Sequence, residues 1–168
     1  MTTIRNFAQL LEAALQRAPK RVAIVGAGQR QTLHCIRMAH NMGLARCLII
    51  DDPERVQRVA QEEGVDLQDV EILPEGDMGE AAYKAVAMIH AEEADLVMNG
   101  RALPVELLRA ALDKTKGLRI GKLVSDVSVF EIPDFDRLIF VSDVAIVVSP
   151  NLAQKAAIVQ NAIDTAIE

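Results

Sequence analysis

The chain has 168 residues, of which 51% are hydrophobic, 25% charged and only 3% aromatic, a size and composition that suit one domain with an aliphatic core. Its net charge of −6 argues against a nucleic-acid partner, and no apolar run reaches the ~18 residues that a membrane span needs. Cys35 and Cys47 fit neither a metal-ligand spacing nor a disulfide framework, and both read as small buried residues.

Residues 1–18 form an amphipathic, acid-bearing segment unlike a signal peptide, with Ile4, Phe7, Leu11, Ala14 and Leu15 on one helical face ahead of Pro19. The expected compartment is the cytoplasm. Residues 21–25 read as a buried strand, and the turn Gly26-Ala27-Gly28 leads into a helix over 30–42 closed by Gly43. A strand over 47–50 precedes Asp52-Pro53, an N-cap followed by proline at the first helical position, and that helix stops near Gly64. A third strand at 70–73 is followed by a helix over 77–91 with Met78, Ala81, Ala82, Ala85 and Ile89 inward. A fourth strand at 95–98 precedes a short helix over 104–112.

The pattern then changes. Residues 122–132 and 137–141 are β-rich runs around Pro133-Asp134-Phe135-Asp136, which reads as a hairpin turn. Residues 145–148 read as one more strand. A final helix starts at Ser149-Pro150, carries Leu152, Ala156, Val159, Ile163 and Ala166 on one face, and is still running at Glu168. The expected architecture is one α/β domain over 1–168: βα units over 1–113, a hairpin over 122–141, and a last strand and helix over 144–168. Its class is a parallel-sheet-based sandwich with helices on both faces plus a β-hairpin.

Four places carry candidate chemistry. Gly26 and Gly28 resemble the start of a dinucleotide fingerprint, and Asp51 stands where a ribose-binding acid would sit; Gln31, however, replaces the third glycine. Asn99, Gly100 and Arg101 follow the fourth strand at its carboxyl end, where a parallel sheet binds ligands. There Gly100 lets backbone approach an anion, and Arg101 and Arg109 offer guanidinium forks. Ser125-Asp126 with Ser128, and Ser142-Asp143, interrupt apolar runs and line either a cleft or an exposed strand face. His34, His40 and His90 fall in helix patterns and form no triad-like set.

Longer motifs are ADLVMNGR at 94–101, ELLRAALD at 106–113, KGLRIGKLVS at 116–125, VFEIP at 129–133, FDRLIFVSD at 135–143 and SPNLAQKAAIVQNA at 149–162. In these runs the chain resembles the phosphate acetyl/butyryltransferase family. The resemblance implies reversible transfer of an acyl group between CoA and inorganic phosphate. It implies CoA or acyl-CoA and phosphate or acyl phosphate as partners, and no permanently bound cofactor or metal. It also implies the first part of an isocitrate-dehydrogenase-like fold, a cleft between two domains, and a homodimer or larger assembly.

Asn99, Gly100, Arg101, Arg109, Ser125 and Asp143 are the candidate substrate-binding residues. The sequence departs from the family at Asn99, where lysine or a small residue is common, and near Leu103-Pro104, where threonine is common. It departs again at Asp126, where histidine is usual. Family enzymes are about twice as long, and their catalytic serine, arginine and aspartate are expected in a C-terminal half outside this sequence. The chain by itself is therefore expected to be inactive. Two alternatives stay open: a non-catalytic phosphate- or CoA-binding protein, and a dinucleotide-binding module at Gly26 and Gly28. The hairpin is the expected dimer contact, because open strand edges are generally covered.

Overall fold

The computed structural model describes residues 3–167. Met1 and Thr2, at the head of the expected amphipathic segment, and Glu168, at the end of the last helical pattern, lie outside the described residues. In chain order the elements are α1 (Phe7–Leu15), β1 (Lys20–Val25), α2 (Arg30–Asn41), β2 (Ala45–Asp51), α3 (Pro53–Glu63), β3 (Glu71–Pro74) and α4 (Met78–His90). They continue with β4 (Leu96–Asn99), α5 (Pro104–Ala111), β5 (Ser128–Phe130), β6 (Ile139–Val141) and α6 (Leu152–Ile167). The elements fall into two compact units. A core unit comprises Arg17–Leu118, and a hairpin unit comprises Met1–Gln16 with Arg119–Glu168.

The core unit is built on a four-stranded parallel sheet in the order β3-β2-β1-β4. Strand alternation divides its side chains between two layers. On one face Ala23, Val25 and Ile50 pack against Ala81, Ala82, Ala85 and Val86 of α4 and Ala110 of α5. On the other, Ile24 and Ile49 pack against Leu33 and Ile36 of α2 and Val56 and Ala60 of α3. The small alanine stripe on α4 lets that helix lie close to the sheet.

Local chemistry sets the helix limits. Asp52 Oδ1 accepts from the Glu54 amide at 3.0 Å and Asp77 Oδ1 from the Glu80 amide at 3.0 Å, each satisfying a donor that the first helical turn leaves free. Gly43 and Gly64 follow α2 and α3 with φ of +67° and +63°, left-handed conformations that a Cβ would strain. At α5 no side chain of Leu103 can cap. Glu106 reaches back to accept from the Leu103 amide at 2.8 Å, which is the one side-chain half of a capping box present here.

In the hairpin unit β5 and β6 pair antiparallel, Val129 opposite Phe140, around the expected Pro133–Asp136 turn. Glu131 accepts from the Phe7 amide at 2.7 Å and ties α1 to the hairpin. Asn151 and Gln154 cap α6 reciprocally, each side chain accepting from the other's amide at 2.9 Å.

Four local expectations need correction. The β-rich run is paired only over three residues on each side, so 122–127 is not strand. Residues 145–148 form no strand either, because carboxylates rather than a neighbouring strand take their amides. Asp143 accepts from Ala145, Ile146 and Val147, and Asp126 from Val144 and Ala145. On α6 the apolar face read from the spacing is exposed, and Ile158 on the opposite side is the buried residue. Cys35 is exposed, since α2 turns Thr32, Leu33 and Ile36 inward, whereas Cys47 is half-buried and burial pushes its thiol pKa up.

Candidate functional site

The strand order of the core unit reverses between β1 and β4, so the loops after these two strands flank the position where open parallel sheets bind ligands. The two loops touch there. Gly100 N–H donates to Val25 O at 2.9 Å and Arg101 N–H to Gly26 O at 2.5 Å. A Cβ on Gly100 would stand 2.1 Å from Gly26 O, so only glycine admits this approach. Gly26 has φ +76°, and its open side is filled by the Arg101 side chain, whose Cγ would lie 2.6 Å from a Cβ there.

Arg101 crosses the mouth of β1 and grips Asp51 at the end of β2. Its Nη2 donates to Asp51 Oδ1 at 2.6 Å, and its Nε to Oδ2 at 3.0 Å. Asp51 is 0% exposed and also accepts from the amides of Gly28 (2.7 Å) and Asp52 (2.8 Å). Burial opposes ionisation of this carboxyl, but the bonds from Arg101, Gly28 and Asp52 outweigh it and hold the pKa below the usual carboxylate value. The same pairing raises the Arg101 pKa.

This latch redefines the expected site. Asp51 is committed to protein donors, and the Gly28 amide that a pyrophosphate would use already serves Asp51. Gln31, in the place of the third glycine, faces solvent. The obstacle to dinucleotide binding is Asp51. Sequence reading noted this residue only as a ribose acid, because its partner Arg101 lies 50 residues away in the chain.

Arg101 does not stand free, although its Nη1 has no partner among the described residues. Arg109 is exposed on α5 and makes no ion pair or hydrogen bond among them. Asn99 donates to Ala102 O at 3.1 Å, while its Oδ1 is buried with no partner among the described residues. Asn99, Gly100 and Arg101 thus form one loop, and Arg109 follows on the helix that this loop opens.

Ser125 and Asp143 belong to the hairpin unit and enter polar clusters there. Ser125 Oγ accepts from Asn161 Nδ2 at 2.8 Å, beside a cavity of about 320 Å³ also bounded by Lys122, Asp164 and Thr165. Asp143 is held at a pKa of about 2 by a hydrogen bond shared with Asp126 and by the amides of Ile146, Ala145 and Val147. Asp126, which would repel an anion if it faced one, instead takes the amides of Val144 and Ala145. These carboxylates shape a loop.

In the core unit two further cavities open away from the strand mouths. One, of about 580 Å³, lies among Gln57, Gln61, Asp66 and Ile72, and one of about 320 Å³ among Arg21, His40, Arg46 and Cys47. His34 contacts Glu63, and His90 lies against the carbonyls of Lys116 and Gly117, both at exposed positions. Among the described residues no group of His, Cys, Asp and Glu is arranged to hold a metal, and no helix is long and apolar enough to cross a membrane.

Residues 73–168 match the family model described as phosphate acetyl/butaryl transferase. The chain is 36% identical over 163 residues to the phosphate butyryltransferase of Clostridium acetobutylicum, covering 97% of this chain and 54% of that protein. It is 32% identical over 159 residues to the phosphate acetyltransferase of Rhizobium meliloti, covering 95% and 50%. The chain therefore spans about half the length of the curated relatives it matches. In fold it is similar to a branched-chain phosphotransacylase from Enterococcus faecalis V583, with TM-score 0.71, 21% identity, and coverage of 88% of this chain and 51% of that one.

Proposed function

Because the chain belongs to the phosphate acetyl/butaryl transferase family, we propose that it serves reversible acyl transfer between CoA and inorganic phosphate, as part of a protein of the relatives' length. In that reaction a phosphate oxygen attacks the thioester carbonyl of acyl-CoA. The O–C bond forms, the C–S bond breaks, and CoA leaves as a thiolate that takes up a proton. The reverse direction needs that proton removed and the acyl phosphate held.

The observation that carries this reading is the family match over 73–168, a span that includes the β4 loop and α5. Arg109 supplies the free cation for phosphate oxygens, and Arg101, fixed by Asp51, presents its remaining Nη1. Gly100 keeps the loop backbone close to β1, so Asn99 and Arg101 hold their places before a ligand arrives. CoA is a substrate here, not a resident cofactor. We place the protein in the cytoplasm and pair two copies through the hairpin edge, which leaves backbone groups of a two-stranded ribbon open.

The test combines thermal-shift measurements against CoA, butyryl-CoA, acetyl-CoA, acetyl phosphate and NAD with an assay of phosphate-dependent thiol release. Stabilisation by CoA esters or acetyl phosphate, lost in Arg109→Ala, supports the site. A shift without thiol release, even when a relative's remaining half is supplied, selects binding without catalysis. Stabilisation by NAD alone would overturn the proposal.

A further inference from the structure

Two arginines lie on one glycine turn at the mouth of β1, and only one of them has a carboxylate partner. The Arg101 side chain fills the open side of Gly26 and is held by Asp51. Arg55, in the first turn of α3, lays its side chain along Gly28, where a Cβ would stand 2.9 Å from Arg55 Cγ and 3.0 Å from Cδ. Arg55 Nε donates to Gly28 O at 3.1 Å. The Gly28 amide donates to Asp51 Oδ2, the same oxygen that takes Arg101 Nε. One residue of the turn thus joins the two guanidinium groups.

No partner within the fold balances the charge of Arg55. A cation in a first helical turn opposes the helix dipole, and partial burial adds a desolvation cost. The carboxylates at the neighbouring strand ends have other cations: Asp51 has Arg101 at 2.6 Å, and Glu75 has Lys84 at 2.6 Å. Among the described residues Arg55 makes no ion pair, and neither of its Nη groups donates a hydrogen bond. A half-buried cation set against the dipole without a counter-ion breaks a local rule, and such breaks mark binding sites.

We propose that Arg55 and Arg101 seat a phosphoryl group between them at the mouth of β1, Arg55 through its two Nη groups and Arg101 through Nη1. This rests on the acyl-transfer reading above and adds Arg55 to its binding residues. Two guanidinium groups offer several N–H donors and no acceptor, which suits the charged, acceptor-only oxygens of a phosphoryl group. Inorganic phosphate, acyl phosphate and the phosphates of CoA share that chemistry. The seat uses side chains rather than the amides of the turn, so the Gly28–Asp51 bond that obstructs a dinucleotide stays in place.

The test is isothermal titration of the 168-residue chain with inorganic phosphate and, separately, with CoA, at one fixed ionic strength. Arg55→Ala should weaken binding at least ~10-fold. Its circular dichroism and urea midpoint should stay near the parent's, because the side chain carries a single hydrogen bond. Gly28→Ala keeps both arginines and the Gly28 amide, at a position without a positive φ, but pushes the Arg55 stem aside; it should weaken binding at least ~3-fold. Loss toward inorganic phosphate assigns the seat to the free substrate, and loss toward CoA alone assigns it to a phosphate of CoA. Parent-like binding of both probes in either variant overturns the proposal, as does a parent chain that binds neither probe. Binding that Arg109→Ala abolishes and Arg55→Ala leaves intact sinks the seat and keeps the acyl-transfer reading. Phosphate binding that needs Arg55, in a chain that releases no CoA thiol even with a relative's remaining half supplied, keeps the seat and sinks that reading instead.

Discussion

Asp51→Asn tests the latch that closes the mouth of the sheet. The substitution keeps the shape and one acceptor for the Gly28 amide, but removes the charge that two Arg101 nitrogens grip at 2.6 and 3.0 Å. It also sets an amide N–H against those donors. Asp51 is fully buried, whereas the Arg101 side chain is 22% exposed and can turn partly to water. The loss should thus fall near the lower end for a broken buried pair, about 3 kcal/mol. A unit of this size unfolds in urea with a slope of about 1.3 kcal/mol per molar, so the midpoint followed by circular dichroism should drop by roughly 2 M. Because the Asp51 pKa is depressed in the fold, its contribution is complete above about pH 4 and fades as pH falls through the folded value. The gap between wild type and D51N should therefore stay flat from about pH 5 to about pH 8 and narrow only in stronger acid. A midpoint shift under about 0.5 M would refute the reasoning, and would mean that solvent screens the pair.

Gly100→Ala places a methyl group 2.1 Å from Gly26 O, a backbone atom that cannot swing aside, and should lower Tm by on the order of 10 °C in a thermal melt. Arg109→Ala removes an exposed side chain without partners among the described residues; it should change stability by less than about 0.5 kcal/mol while abolishing ligand-induced thermal shifts. Asp143→Ala should speed hydrogen exchange at the amides of Ala145, Ile146 and Val147, which its carboxylate now holds. In the unmodified chain that protection should persist through mild acid and fade as pH falls toward about 2, since the Asp143 pKa is depressed.

Much of the core unit could be read from neighbouring residues. Asp52-Pro53 announced α3, Gly43 and Gly64 announced helix ends, and the alanines of α4 announced their burial. The loop Asn99-Gly100-Arg101 was placed at the right strand end. What the loop does was hidden, because the partner of Arg101 lies 50 residues away. Composition likewise marked 145–148 as strand and spacing marked an apolar face on α6, yet Asp126 and Asp143 take the strand amides and Ile158 takes the inward position.

In the core unit the order of elements, the helix limits at Asp52, Gly43 and Gly64 and the parallel class were determined by the sequence itself, since periodicity and turn chemistry act over a few residues. Tertiary structure alone decided which cation is free. Folding brings the ends of β1, β2 and β4 together, so Asp51 captures Arg101 and the Gly28 amide while Arg109 is left facing solvent. A buried carboxylate takes the nearest strong donors in space, and no spacing along the chain encodes that choice.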